Sequence, residues 1–221
     1  MIKNFTIYGE RDSGTNLLEA ILTGKSYFHQ KNVPAFDIPV VWNYGWKHWF
    51  GHYSKLVEES NDTLFIGIIR DPYDWIMALN KHKHHIPPVN HALINFITKE
   101  WYSIDHAKRS PTYGKENHGD RDWDTGKRHK DIFAMRSKKM RYLINTMPNL
   151  TDNYVLIKYE DLCIDTTQIL SRISHKFKIK FRNGYLQAKT KPPYSVPAQI
   201  KKIIDTNMDW EIENQAGYKK R

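Results

Sequence analysis

The sequence predicts an α/β fold: a three-layer sandwich in which a central parallel sheet carries helices on both faces. Three apolar runs, over residues 5–8, 63–69 and 154–159, have the length and the β-branched or aromatic content of strands. Each is followed by apolar residues at helical spacing, and strands that alternate with helices form parallel sheets through crossover connections. A chain of 221 residues suits one unit with a substantial core, so a single domain over 1–221 is expected.

The elements follow in order. Phe5, Ile7 and Tyr8 form a short run that stops at Gly9, and Leu17, Leu18, Ile21 and Leu22 then recur on one helical face. Gly24, Pro34 and Pro39 break the pattern, and the aromatic-rich segment 40–50 is expected to contain a second strand. Thr63–Ile69 reads TLFIGII, an almost continuous apolar run suited to a parallel strand covered on both faces. It ends at Arg70, after which DWIMAL starts a helix, with Pro72 in the first turn and Asp74 near the positive end of the dipole.

Pro87 and Pro88 precede a predicted helix over 91–104, with Leu93, Phe96, Ile97 and Trp101 on a common face. Residues 110–130 are polar, contain Gly114, Gly119 and Gly126, and are expected to form a surface loop or lid. Predicted helices over 132–147, 162–177 and 198–213 complete the chain, the last preceded by Pro192, Pro193 and Pro197. Ligands of such sheets lie beyond the carboxyl ends of the strands, which brings residues 9–16, Arg70 and Glu160 toward one edge.

Composition narrows the function. A hydrophobic fraction of 40% with 13% aromatics belongs to a folded chain. No apolar run approaches the length of a bilayer crossing, and the opening MIKNFTIYGE enters a strand pattern without the apolar core of a signal peptide. The single cysteine, Cys163, has no partner for an internal disulfide, so a reducing, cytoplasmic setting is expected. The formal charge of +10 favours anions, whether nucleotide, nucleic acid or acidic polysaccharide. The basic clusters at 81–85 and 127–130 lack the interleaved aromatics of a base-stacking surface, and no specific nucleic-acid partner is expected.

The turn Gly9, Glu10, Arg11, Asp12, Ser13, Gly14, Thr15, Asn16 lies between a strand and a helix, where backbone N–H groups and the helix dipole bind phosphate. Gly14 permits close approach, Thr15 and Asn16 add side-chain donors, and Arg11 adds a forked cation. Gly9 and Gly14 keep the spacing of the phosphate-binding G-x-x-x-x-G-K-[ST] loop, which gives the predicted sandwich a P-loop NTPase-like character. Thr15 stands where that loop has lysine, and the loss of its contact to the β- and γ-phosphates counts against an ATP or GTP hydrolase.

Three ordered segments, GERDSGTN, FIGIIRDPYDWIMAL and YVLIKYEDL, together resemble the sulfotransferase superfamily, whose donor is 3'-phosphoadenosine 5'-phosphosulfate. The first looks like that family's 5'-phosphosulfate loop. The second resembles its 3'-phosphate motif, a buried strand ending in arginine with proline two residues later, and the third its later strand ending in Tyr-Glu-Asp. The terminal DWEIENQAGY is weakly similar to the end of such domains.

The resemblance implies that Arg11, Ser13, Gly14, Thr15, Asn16 and Arg70 hold the donor, with Arg70 on the 3'-phosphate. The family's serine eight residues later corresponds to Ala78, and its lysine or arginine before Ser-Gly-Thr corresponds to Asp12. Arg11 is expected to supply that charge while Asp12 points away, orienting Arg11 or capping the helix. GWKHWF resembles in type and place the family's Lys-Thr-His element, although here Lys47 and His48 are adjacent. The resemblance implies His48 as the base and Lys47 as the cation that stabilises the leaving phosphate. It also implies in-line transfer to a hydroxyl or amine acceptor, of a glycan or small metabolite, that needs no metal. Other members use a glutamate base, which makes Glu10 the second candidate.

Two other classes stay open: a P-loop nucleotide or phosphate kinase, and a non-catalytic polyanion-binding module on the same fold. His82, His84, His85 and His91 lack metal-site spacing and are read as a solvated or acceptor-facing cluster. Arg136, Lys138, Lys139 and Arg141 share a helix and either line an anionic groove or face water. Glu160 and Asp161 are expected to hold loops.

Overall fold

A computed structural model describes residues 1–25, 33–83 and 85–221. His84, one of the clustered histidines, lies outside the described residues. The fold is mixed α/β, with strands β1 (Asn4–Tyr8), β2 (Thr63–Ile69) and β3 (Tyr154–Lys158) in a parallel sheet of order β1-β2-β3. The α-helices are α1 (Thr15–Thr23), α2 (Ser54–Glu58), α3 (Pro72–His82), α4 (Leu93–Thr98), α5 (Ile132–Arg141), α6 (Met147–Leu150), α7 (Tyr159–Ile164), α8 (Thr166–Phe177), α9 (Ala198–Asn207) and α10 (Trp210–Gln215). No helix among the described residues is long and apolar enough to cross a membrane.

The chain divides into two compact units, one of Met1–Asp71 with Leu143–Pro193, the other of Pro72–Tyr142 with Tyr194–Arg221. The first holds the sheet. Strand residues point to alternate faces, and the register pairs Phe5 with Leu64, Ile7 with Ile66 and Ile68 with Ile157, so these six form one apolar face. That face packs with Leu18, Ile21 and Leu22 of α1, Leu162 of α7, and Leu170 and Ile173 of α8. On the opposite face Tyr8 meets Phe50 and Phe65, and Tyr44 meets Phe65 edge-on. Every residue of β2 is buried, as its unbroken apolar run predicts.

The strand expected within 40–50 does not form as a continuous element. Val40 makes a single parallel bridge with Phe5, and Gly9 N–H donates to the Lys47 carbonyl at 2.9 Å. Between these points the chain turns through Gly45, whose φ of 99° suits glycine. The segment therefore touches β1 at one end and Gly9, just beyond it, at the other, without following the strand.

In the second unit, Tyr73, Trp75, Ile76 and Leu79 of α3 pack with Phe96, Ile97, Trp101, Ile132, Phe133, Ile200 and Ile204. The helix predicted over 91–104 ends early, because Lys99 is extended and Trp101 and Ile104 bridge to His129 and Glu116. Trp101 keeps its apolar role through an edge contact with Phe96. The helix predicted over 132–147 passes from α5 into a π-helical turn at Tyr142–Thr146. Those over 162–177 and 198–213 are each interrupted, at Asp165 and Asp209, whose carboxylates cap α8 and α10.

The basic residues of α5 do not simply face water, because each is ion-paired. Arg136 pairs with Glu213, Lys138 with Asp122 and Asp124, Lys139 with Asp120, and Arg141 with Asp209 and Glu211. Carboxylates from distant segments neutralise the helix, which no local pattern reveals. Within 101–130, Glu116 binds both Arg121 and Arg128, and its carboxyl is held down at about 2, chiefly by the Arg121 hydrogen bond.

His129 is buried beside the Lys139–Asp120 pair, and desolvation, then the Lys139 charge, lower its pKa from 6.5 to about 4. The folded protein thus binds this proton less readily than the unfolded chain. The stability associated with a neutral His129 is complete above pH 6.5 and is lost as pH falls toward 4. Chemical unfolding across this range is expected to show a loss of up to about 3 kcal/mol. His129→Phe should flatten that slope, and an unchanged slope would remove His129 as its source.

Candidate functional site

The candidate residues of the anion loop, the Lys47–His48 pair and Arg70 all belong to the first unit. β1 delivers the chain to Gly9, and α1 starts after Gly14. Between them Ser13 N–H and Ser13 Oγ both donate to the Glu10 carbonyl, at 3.2 and 2.7 Å. Asp12 takes a left-handed φ of 61°, which a short polar side chain tolerates better than most. Gly14 has φ 103°, and a Cβ there would lie 2.5 Å from the Tyr159 ring. A Cβ on Gly9 would lie 2.6 Å from the Ile68 carbonyl oxygen, so both glycines let the loop sit close to β2 and α7.

Arg70, at the end of β2, reaches this loop. Its Nη1 donates to the Asp12 carbonyl at 3.0 Å, and its guanidinium lies 4.5 Å from the Tyr159 ring centroid. Burial, then the Cys163 contact, push the Tyr159 phenol up to about 12, so the ring is a neutral platform for the cation. Glu160 accepts from Asp71 N–H at 2.9 Å and fixes the exit of β2, the loop-holding role expected of it. The N-cap of α1 is Gly14, in a left-handed conformation. The Asp12 carbonyl is turned toward Arg70.

The Lys47–His48 pair clasps the start of the loop. Lys47 O accepts from Gly9 N–H, while the Gly9 carbonyl accepts from His48 Nδ1 at 2.8 Å. A carbonyl takes only a donor, so the neutral His48 tautomer carries its lone pair on Nε2. Trp46 packs edge-on against the imidazole. The Lys47 side chain turns to α1, donating to Asn16 Oδ1 at 2.6 Å and Glu19 Oε2 at 2.7 Å. Its ammonium also lies 5.0 Å from the Trp46 ring and 5.8 Å from that of Trp42.

Each predicted residue thus has a definite place. Ser13 braces the turn, Thr15 is buried in the first turn of α1, and Asn16 is oriented by Lys47. Arg11, Glu10 and His48 are buried around the loop, and Ala78 is fully buried in α3, where it packs as a core residue. His85 and His91 each hydrogen-bond a backbone carbonyl, of Ile104 and Ile86. Glu19 and Tyr159 were missed in the sequence. Glu19 had a signal, since it falls three and four residues after Asn16 and Thr15 and shares their helix face. Tyr159 had none beyond its place at the end of a strand.

Arg11 and Asn16 belong to the loop itself, Lys47 reaches Asn16 from another segment, and Arg70 reaches Asp12 from the end of the adjacent strand. No protein-family model matches the sequence, and no curated protein is significantly similar to it.

Proposed function

We propose that this protein is a sulfotransferase on a P-loop NTPase-like sandwich, moving a sulfuryl group from 3'-phosphoadenosine 5'-phosphosulfate to a hydroxyl or amine. The Arg70 hydrogen bond to Asp12 carries the reading, because it joins two of the three family-like segments across 58 positions of sequence. The missing loop lysine fits the same reading, as Lys47 brings a cation to Asn16 from another segment. Arg11, Ser13, Gly14, Thr15 and Asn16 form the 5' cradle, and Arg70 takes the 3'-phosphate. The donor supplies an activated sulfur. His48 Nε2 takes the acceptor's proton as its oxygen or nitrogen bonds to sulfur, the bond from sulfur to the phosphate oxygen breaks, and Lys47 steadies the departing phosphate.

Calorimetry with 3'-phosphoadenosine 5'-phosphate tests the reading. Arg70→Ala is expected to weaken binding by about 10²-fold, the scale for truncating one partner of a desolvated, hydrogen-bonded charge pair. Adenosine 5'-phosphate, which lacks the 3'-phosphate, should lose far less. No binding by the unaltered protein at high concentration would end the proposal. Preference for magnesium-ATP would favour the kinase, and capture of acidic polysaccharide without nucleotide the binding module.

A further inference from the structure

Lys47 is only 3% exposed at its side chain, and its ammonium is neutralised by Glu19, itself 17% exposed. Glu19 lies one turn into α1, and through the shared Lys47 ammonium its carboxylate, at 2.7 Å, is tied to the Asn16 side chain of the first turn, at 2.6 Å. Screening is weak for so shielded a pair. The Asn16 oxygen binds the same ammonium at 2.6 Å and marks the level of the loop itself. Lys47 therefore has one neutral acceptor at the loop and one charged acceptor on the next turn, with the Trp42 and Trp46 rings beside its ammonium.

We infer that Glu19 is a positioning residue and internal counter-anion: it holds Lys47 beside the loop and competes with the incoming anion for the same ammonium. The inference rests on the anion-loop part of the proposed function. Its consequence is a threshold. A small anion such as phosphate must displace Glu19 from Lys47 with few contacts of its own, whereas a ligand that also engages Arg70 has binding energy to spare. After transfer, the carboxylate reclaims the ammonium and helps the product anion leave.

Titration calorimetry with inorganic pyrophosphate and with 3'-phosphoadenosine 5'-phosphate, on the unaltered protein, Glu19→Gln, Lys47→Met and the double variant, tests this. Glutamine keeps an acceptor for Lys47 and removes only the charge. Glu19→Gln is expected to tighten pyrophosphate by about fivefold, and the gain to shrink below about twofold in the Lys47→Met background. Thermal melting confirms that each variant is folded. Unchanged or weaker binding by folded Glu19→Gln overturns the inference. So does an equal gain in both backgrounds, which would mean a through-space charge effect alone. Absence of anion binding in every variant overturns it together with the proposed function. If pyrophosphate shows the Lys47-dependent gain but the nucleotide binds no tighter than pyrophosphate, the Glu19 inference stands and the sulfuryl-donor reading falls.

Discussion

In a His48→Asn protein, transfer from labelled 3'-phosphoadenosine 5'-phosphosulfate to a responsive acceptor is expected to fall by about 10²- to 10⁴-fold. The asparagine amide can still donate to the Gly9 carbonyl, the bond that now holds His48 Nδ1 at 2.8 Å. The clasp on the loop is thereby kept while the lone pair of Nε2 is lost. Affinity for 3'-phosphoadenosine 5'-phosphate should accordingly change by less than about threefold, because a group that acts only in the transition state lowers kcat without altering ground-state binding. A parallel loss of binding would assign His48 to loop structure. Unaltered turnover would move the base to Glu10, which is buried in the same turn.

The half of this site that could be read from sequence is the half built locally. Gly9, Gly14 and the helical spacing of Leu18, Ile21 and Leu22 announce a strand, turn and helix because each depends on near neighbours. Thr63–Ile69 was legible for another reason: a strand buried on both faces has no polar alternation to confuse it. The segment 40–50 misled because its aromatics fit a strand, while Gly45 turns the chain away between the contacts at Phe5 and Gly9. Lys47 and His48 were adjacent candidates in sequence, yet their side chains serve different partners, Asn16 and Glu19 for one and Gly9 for the other. The helix predicted over 91–104 failed at its end because Trp101 and Ile104 bridge to residues further along the chain. Ion pairs such as Arg136–Glu213, separated by 77 positions, leave no periodic trace.

That pair carries the largest stability prediction. Arg136 is 0% and Glu213 1% exposed, and two parallel hydrogen bonds join them, Nε to Oε1 at 2.5 Å and Nη2 to Oε2 at 2.9 Å. The guanidinium also lies 4.6 Å from the Trp75 ring. Charges so far from water are tolerable only together, since removing one strands the other in a medium that solvates it poorly. Glu213→Gln is therefore expected to destabilise the protein by about 3–5 kcal/mol in urea unfolding. The double replacement Arg136→Met with Glu213→Leu should recover most of that loss, because apolar side chains of similar volume satisfy the same buried space without desolvated charge. A single-variant cost below about 1 kcal/mol would be the signature of a solvated pair. A double variant as unstable as Glu213→Gln would instead show that the stacking of Arg136 on Trp75, and the α5–α10 packing around it, matter more than the charges they enclose.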